Sequence, residues 1–444
     1  MVTKMGRKKV RAGRHEVRAK KVADEIAEVL RPREGVGLAR GADGLNSPAS
    51  WRDCSLGSGY AGVAMLYSGR IPEQGDTAKI AGHQYLASAS AFLEGQRGTS
   101  TFGIFYEVCG LGFSLMLARQ ATGGGYTKAL SALDSEVCAG ARRFCDLVEA
   151  APLGSMARYD LIDGLAGIGR YLLMRGCGPD ILARVLTALV DMTALVPHEG
   201  LLVPGFWSTT PPSRNPETHR DLQEFGHLNL GLAHGVAGPL ALLSLCRLRG
   251  ISVTGQVEAI RSLMGILQKF CKEDRYGIYW PNTISLEQWD RGSSPASRGR
   301  ASWCYGAPGV SRAVALAAAS AGNTEWLRMA ERSVESILQV PLDDWGVSHW
   351  SLCHGWAGTM QVLRYFTDGP HGDRVWDVID AIADRVLSEI EAEGLPAFEL
   401  GEGNLATGVS PAGFLEGAAG LALALDDYAG RPTDFPWDAA LMLR

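Results

Sequence analysis

The chain has 444 residues, 46% of them hydrophobic and 20% charged, with a formal charge of −5. That balance leaves no broad basic field for a nucleic-acid partner, and no run reaches the ~18 apolar residues that a membrane span needs. Nine cysteines, an odd number in so long a chain, do not make a disulfide framework, so buried thiols or metal ligands in a reducing, cytoplasmic setting are expected.

The first 21 residues carry nine Lys/Arg against a single acid, Glu16. No apolar signal-peptide core follows; the continuation VADEIAEVL reads as an acidic amphipathic helix. Residues 1–21 are therefore expected to be a basic, solvated tail, and residues 22–444 a single domain.

Beyond the tail one motif recurs, a Gly-x-x-Gly leading into an apolar run. It stands as GYAG at Gly59–Gly62, GLAG at Gly164–Gly167, GVAG at Gly235–Gly238, GAPG at Gly306–Gly309, GWAG at Gly355–Gly358 and GAAG at Gly417–Gly420. A degenerate copy, EVCG, ends at Gly110, which makes seven units with intervals of 48, 57, 71, 71, 49 and 62 residues between final glycines. Such a period leaves room for two helices and their loops in each unit. The segments after the motifs, such as IGRYLLM and PLALLSLC, are apolar nearly all round, as buried helices are. Between them lie amphipathic segments. In 373–393 the apolar stripe runs through Val375, Ile379, Ile382 and Val386, and 324–340 has Asn323 as its N-cap.

Seven alternating pairs of buried and amphipathic helices imply an all-α fold, an α/α toroid with seven inner and seven outer helices. The 55 glycines then have a purpose: bare helix starts would let neighbouring inner backbones approach closely. Cys138, Cys145, Cys246 and Cys271 fall in helical patterns as small core residues. Two stretches interrupt the helical pattern, Glu199–Gly226 and Asp274–Ser302. The second contains YGIYWPNTIS, which alternates like a strand, and both are expected to rim one opening of the ring.

Alignment of the units on their glycines brings out the chemistry. Just before the first glycine position stand Ser58, Tyr106, Asp163, His234, Tyr305, His354 and Glu416 in turn. One position earlier, units five and six both carry cysteine, Cys304 and Cys353. Equivalent positions on neighbouring inner helices lie side by side, so the register joins two cysteines that are 49 residues apart. His354 supplies a third donor, and His234 of unit four adjoins them. Two thiolates and an imidazole suit one zinc ion per chain and leave a fourth tetrahedral position open. A substrate thiol arriving there would lose its proton, which points to thiol activation rather than water activation.

These residues resemble the lanthipeptide (lantibiotic) synthetase C-component family of cyclases. The resemblance runs through YDLIDGLAGIGRYLL, NLGLAHGVAG, SWCYGAPG, LCHGWAG and SPAGFLEGAAGLALAL, and so spans the chain beyond the basic tail. It implies a zinc-dependent intramolecular Michael addition. Peptide cysteine thiols add to dehydroalanine and dehydrobutyrine of a dehydrated, leader-bearing precursor, and (methyl)lanthionine thioether rings form. By motif, Cys304, Cys353 and His354 match the zinc ligands, and His234 the acid/base. Asp160, Arg300 and Tyr305 match the remaining active-site positions. Asp163 competes with Asp160 as the partner of His234, and His227, His349 and Glu416 read as structural. With no kinase or lyase domain preceding it, the chain resembles stand-alone cyclases, for which a separate dehydratase and an exporter are the expected partners.

The roles are chemically consistent. Thiolate attack on the β-carbon pushes charge onto the amide oxygen, where Arg300 can meet it and Tyr305 either donates a hydrogen bond or packs beside the zinc. The α-carbon then takes a proton from a group that titrates near neutrality. Two other readings remain. Protein prenyltransferases also activate peptide thiols with zinc on an α/α barrel, but their ligands include a carboxylate and their motifs are absent. A non-cyclising, glutathione-type zinc/thiol-binding scaffold of the same family would keep the metal ligands without the reaction.

Overall fold

The computed structural model describes residues 13–32, 53–95, 102–211, 222, 224–295, 297–394, 412–431 and 435–444. Seven helices follow the seven motifs: α2 (Tyr60–Gln74), α4 (Glu107–Thr122), α6 (Leu165–Arg175), α8 (Ala237–Leu248), α11 (Ala307–Ala321), α13 (Trp356–Leu363) and α15 (Ala418–Tyr428). Each touches the next, and α15 touches α2, so they close into an inner ring. Outside it lie α3 (Asp76–Gly95), α5 (Thr127–Ala150), α7 (Pro179–Asp191), α9 (Gln256–Lys269), α12 (Thr324–Gln339) and α14 (Gly372–Glu393), each packed on the inner helix of its own unit. The seventh outer helix is α1 (Glu16–Val29), which packs on α15 and so completes the last unit from the start of the chain. The fold is the α/α toroid.

The tail expected over 1–21 is corrected here. Residues 1–12 lie outside the described residues, but α1 begins at Glu16 and buries Ala19, Val22, Ala23 and Ile26. Arg18 of α1 donates to Asp384 and Glu391 of α14 at 2.6 and 2.8 Å, and the guanidinium of Arg14, just before α1, pairs with Asp377 and Asp380 at 2.5 and 3.2 Å. The charge that read as a solvated end is complementary to one face of α14.

Local rules explain the helices. Every residue of α8 from Ala237 to Cys246 is buried, as its all-round apolar sequence requires. In α12, Asn323 Oδ1 accepts the N–H groups of Glu325 and Trp326 at 3.0 and 3.1 Å, the expected N-cap. In α14, Val375, Ile379, Ile382 and Val386 all face the core. Of the core cysteines, Cys145 and Cys246 are buried and Cys138 half-buried. Cys271 lies beyond the end of α9, not within a helix.

The motif glycines serve a close approach that was not expected beside the one that was. A Cβ on Gly358 would stand 1.8 Å from the Leu352 carbonyl oxygen, and one on Gly420 1.8 Å from that of Phe414. In both cases the obstacle is six residues upstream, in the unit's own entry loop, which folds back over the first helical turn. Neighbouring units also come close: a Cβ on Gly110 would stand 2.8 Å from Leu56 Cβ of unit one, and one on Gly167 3.0 Å from the Ile104 backbone nitrogen of unit two.

Those entry loops are stitched together. Leu161 N–H donates to Ala233 O (3.0 Å), Leu232 to Cys304 O (3.0 Å), Cys304 to Cys353 O (3.2 Å), Cys353 to Leu415 O (2.9 Å), Leu415 to Gly57 O (2.7 Å) and Gly57 to Phe105 O (3.0 Å). This belt of backbone hydrogen bonds joins six of the seven junctions around one mouth of the ring and holds equivalent positions at one height. Segment 437–443 is buried inside the ring, where Arg170 of α6, Trp303 and Arg312 of α11 donate to the carbonyls of Ala439, Leu441 and Leu443.

Among the described residues, short hairpins lie at both inserts. Strands β1 (Leu195–His198) and β2 (Leu201–Pro204) pair antiparallel, as do β4 (Lys272–Asp274) and β5 (Gly277–Tyr279). Strand β3 (His227–Asn229) pairs with β6 (Thr283–Ser285), which ties the two inserts together. The alternating YGIYWPNTIS thus forms two strands, broken where Pro281 cannot donate to a ladder. A short helix α10 (Leu286–Arg291) follows, started by a Ser285/Gln288 capping box.

Candidate metal centre and its neighbours

The belt brings two groups of metal-ligating side chains to one mouth. Cys304 Sγ, Cys353 Sγ and a ring nitrogen of His354 all lie within 4.8 Å of one another, at the junction of units five and six. The direct Cys304 N–H to Cys353 O bond fixes their separation at the backbone. Cys304 is buried and Cys353 half-buried, and their thiols lie within hydrogen-bond reach of each other. The hydrogen bond from the Cys353 thiol is the largest influence on Cys304 and, against burial and helped by Ser302 and the charge of His354, pulls it well below the ordinary thiol range. Cys353 is pushed up in return. A thiolate is therefore already favoured at this point of the chain, as a metal ligand requires.

His354 Nδ1 lies 3.3 Å from Glu416 Oε1 of unit seven. Burial pulls the His354 imidazole down, but the Glu416 hydrogen bond and charge outweigh it, so its pKa is raised. The His349 ring stands edge-on to His354, with centroids 4.5 Å apart. Glu416 and His349, read from sequence as structural, are therefore in contact with a candidate ligand. Glu416 occupies the same repeat position as His354, one unit on, and that signal was available in the alignment.

The second group lies at the junction of units three and four. His234 Nδ1 is 2.6 Å from Asp160 Oδ2, and Asp163 lies within the same cluster. Asp160 is fully buried, and its other oxygen accepts the N–H groups of Asp163 and Gly164 at 2.7 and 3.0 Å. Between the two aspartates, Asp160 is the one in contact with the imidazole. Burial pulls His234 down, yet the Asp160 hydrogen bond and charge prevail and raise its pKa. Asp160 holds a repeat position where units one and five carry Ser55 and Ser302, whose hydroxyls cap the same turn for Ser58 and Tyr305. A carboxylate there caps the turn with one oxygen and has a second free to reach across. Ser302 instead stays within its own unit, with its Oγ 3.4 Å from Cys304 Sγ.

Tyr305 lies between the groups, and its hydroxyl accepts from Asn229 Nδ2 at 2.9 Å. Arg300 is exposed, near enough for its charge to depress both His349 and His354. Sequence reasoning missed Asn229, which precedes the LAHG histidine by five residues, although it stands at the repeat position that carries Arg300 in unit five and His349 in unit six. His227, read as structural, is fully buried on β3, and burial holds its pKa down to about 4. Among the described residues no helix is long and apolar enough to cross a membrane.

An α/α toroid with a Cys/Cys/His donor set at one mouth defines a class, and comparison with known proteins supplies its members. A family profile described as "Lanthionine synthetase C-like protein" matches residues 50–442. The chain belongs to the lanthionine synthetase C-like family. Among curated proteins it is similar to "Nisin biosynthesis protein NisC" of Lactococcus lactis subsp. lactis, at 26% identity over 292 residues. That stretch covers 64% of this chain and 64% of the relative. Among solved structures it is similar in fold to "Nisin cyclase", with a TM-score of 0.74 at 20% identity, covering 97% of this chain and 98% of that one.

Proposed function

We propose that this protein is a zinc-dependent lanthipeptide cyclase, adding cysteine thiols of a dehydrated precursor peptide to dehydroalanine and dehydrobutyrine to form (methyl)lanthionine rings. The observation that carries this reading is the pairing at one mouth of a thiol-rich donor set with a carboxylate-held histidine. His234 lies within electrostatic range of Cys304. The donors fit zinc: two sulfurs and one imidazole already gathered within 4.8 Å, with Glu416 orienting the histidine from behind. Cys304, Cys353 and His354 would hold the ion, which when bound keeps an incoming thiol deprotonated near neutral pH.

The remaining roles fall to the chain's own residues. Attack of the peptide thiolate on the β-carbon forms the C–S bond and sends the π pair toward the amide oxygen. Arg300 and Tyr305 stabilise the charge that develops there. His234, kept as imidazolium to higher pH by Asp160, donates the proton that the α-carbon takes up, replacing the one lost from sulfur. The partners in this reading are the leader-bearing precursor, a dehydratase that makes the alkenes and an exporter of the product.

The test is incubation of the zinc-loaded protein with a dehydrated peptide containing free cysteines, followed by thiol alkylation and mass spectrometry. Addition leaves the peptide mass unchanged, so the expected result is fewer alkylated cysteines at constant mass. Thiols that remain fully alkylatable, beside tight binding of a thiol such as glutathione, would overturn catalysis in favour of a binding scaffold.

A further inference from the structure

Tyr305 is held by Asn229, the first residue of NLGLAHGVAG, to which the sequence assigned no role. Asn229, on β3, is fully buried, and its backbone is secured twice: by pairing with Thr283 of β6, and by the Val236 N–H donating to its carbonyl at 2.9 Å. Its side-chain oxygen accepts the Gly231 N–H at 2.9 Å. A backbone N–H can only donate, so the amide oxygen must lie on that side and the NH2 group on the other. The NH2 group meets Tyr305 Oη at 2.9 Å and Met156 Sδ at 3.2 Å. Met156 lies in the turn whose carbonyl accepts the Asp160 N–H, so one amide touches the loops of Asp160, His234 and Tyr305.

This arrangement has a directional consequence. Toward Asn229 the phenol oxygen can only accept, because both amide hydrogens point outward from nitrogen. A phenol O–H lies near the ring plane, so its proton is turned to the opposite side. The ring itself is seated on Gly231, where a Cβ would stand 2.6 Å from Tyr305 Cδ1. The hydroxyl is within electrostatic range of Asp160, Cys304 and Cys353, and so lies between the two side-chain groups of the mouth.

We propose that Asn229 is a positioning residue that fixes the Tyr305 hydroxyl as a hydrogen-bond donor aimed into the site, toward the oxygen that gains charge when the thiol adds. The inference rests on the cyclase reading above. In the reaction the π pair of the alkene moves onto the amide oxygen, Tyr305 donates to that oxygen without transferring its proton, and the charge collapses when the α-carbon is protonated.

The isosteric exchange Asn229→Asp tests this, because the carboxylate still accepts from Gly231 but would now also accept from Tyr305, turning the hydroxyl proton away from the site. Steady-state cyclisation of a dehydrated peptide is measured for the wild type, Asn229→Asp, Tyr305→Phe and the double variant, with zinc content of each. The expected result is a loss of roughly 10²-fold in kcat for Asn229→Asp and for Tyr305→Phe. KM and zinc content should stay unchanged, and the double variant should be no slower than Tyr305→Phe alone. Asn229→Ala carries no charge and serves if the aspartate variant loses zinc or unfolds; it should slow the wild type but not Tyr305→Phe. Full kcat in the Asn229 variants, or losses that multiply in the Tyr305→Phe background, would overturn the inference. A wild type that forms no ring would instead overturn the reading beneath it.

Discussion

His234 and His354 occupy the same position in two units of one repeat, and the contrast between them shows how the ring divides its chemistry. Both present Nδ1 to a carboxylate, at 2.6 Å from Asp160 and 3.3 Å from Glu416, and both have pKa values raised against the pull of burial. His234 takes its carboxylate from the preceding unit and His354 from the following one. The decisive difference is one residue earlier, where His234 follows Ala233 and His354 follows Cys353, across the belt from Cys304. The backbone belt sets where each imidazole stands, and in the proposed reading a single neighbouring side chain decides its chemistry, with proton transfer at one junction and metal holding at the other.

That division can be broken at each junction separately. Replacement of His234 by Asn should lower kcat by about 10²–10⁴-fold while zinc stays bound, checked by cyclisation rate and metal content on the same sample. Asp160→Asn should act through the same histidine in a graded way. Asp160 raises the His234 pKa, so the imidazolium persists to higher pH; without it, the alkaline fall in activity should move to lower pH. A pH–rate profile that does not move would detach Asp160 from the proton step.

At the other junction, Glu416→Ala should weaken zinc binding by about 10–100-fold through loss of the orienting contact to His354, measured by competition with a chelator. Unchanged affinity would reduce Glu416 to a packing role. The smallest expected effects concern the frame. Gly358→Ala must displace the Leu352 carbonyl 1.8 Å from the new Cβ, and should destabilise the fold by about 2 kcal/mol and loosen zinc with it. Gly265→Ala, in outer helix α9 with open space around it, should stabilise by about 0.5–1 kcal/mol and leave zinc untouched. Thermal unfolding of the two variants side by side checks the pair.

The ring was legible because the Gly-x-x-Gly register repeats, and aligned equivalent positions placed Cys304 beside Cys353 without any structure. Periodicity marked the α14 stripe, and Asn323 marked the start of α12. Pairings that depend on sequence-distant partners were not legible. The basic residues of α1 looked like a solvated tail because Asp380, Asp384 and Glu391 lie more than 360 residues away. The motif glycines pointed to tight packing, but only the folded chain shows that each helix start is covered by its own entry loop. Asn229 shares its repeat position with Asp53, Arg300 and His349, but the residue types there have no common chemistry, so alignment of the units did not single it out, and the buried segment 437–443 follows the last motif helix.

The most direct test of the division is the metal content of the purified protein beside Cys353→Ala, measured by inductively coupled plasma mass spectrometry with circular dichroism to confirm the helical fold. About one zinc per chain in the wild type, lost in Cys353→Ala while the helices remain, is the expected result. A folded wild type without zinc after growth and purification in its presence, or zinc fully retained by Cys353→Ala, would contradict the assignment of this junction as the metal centre.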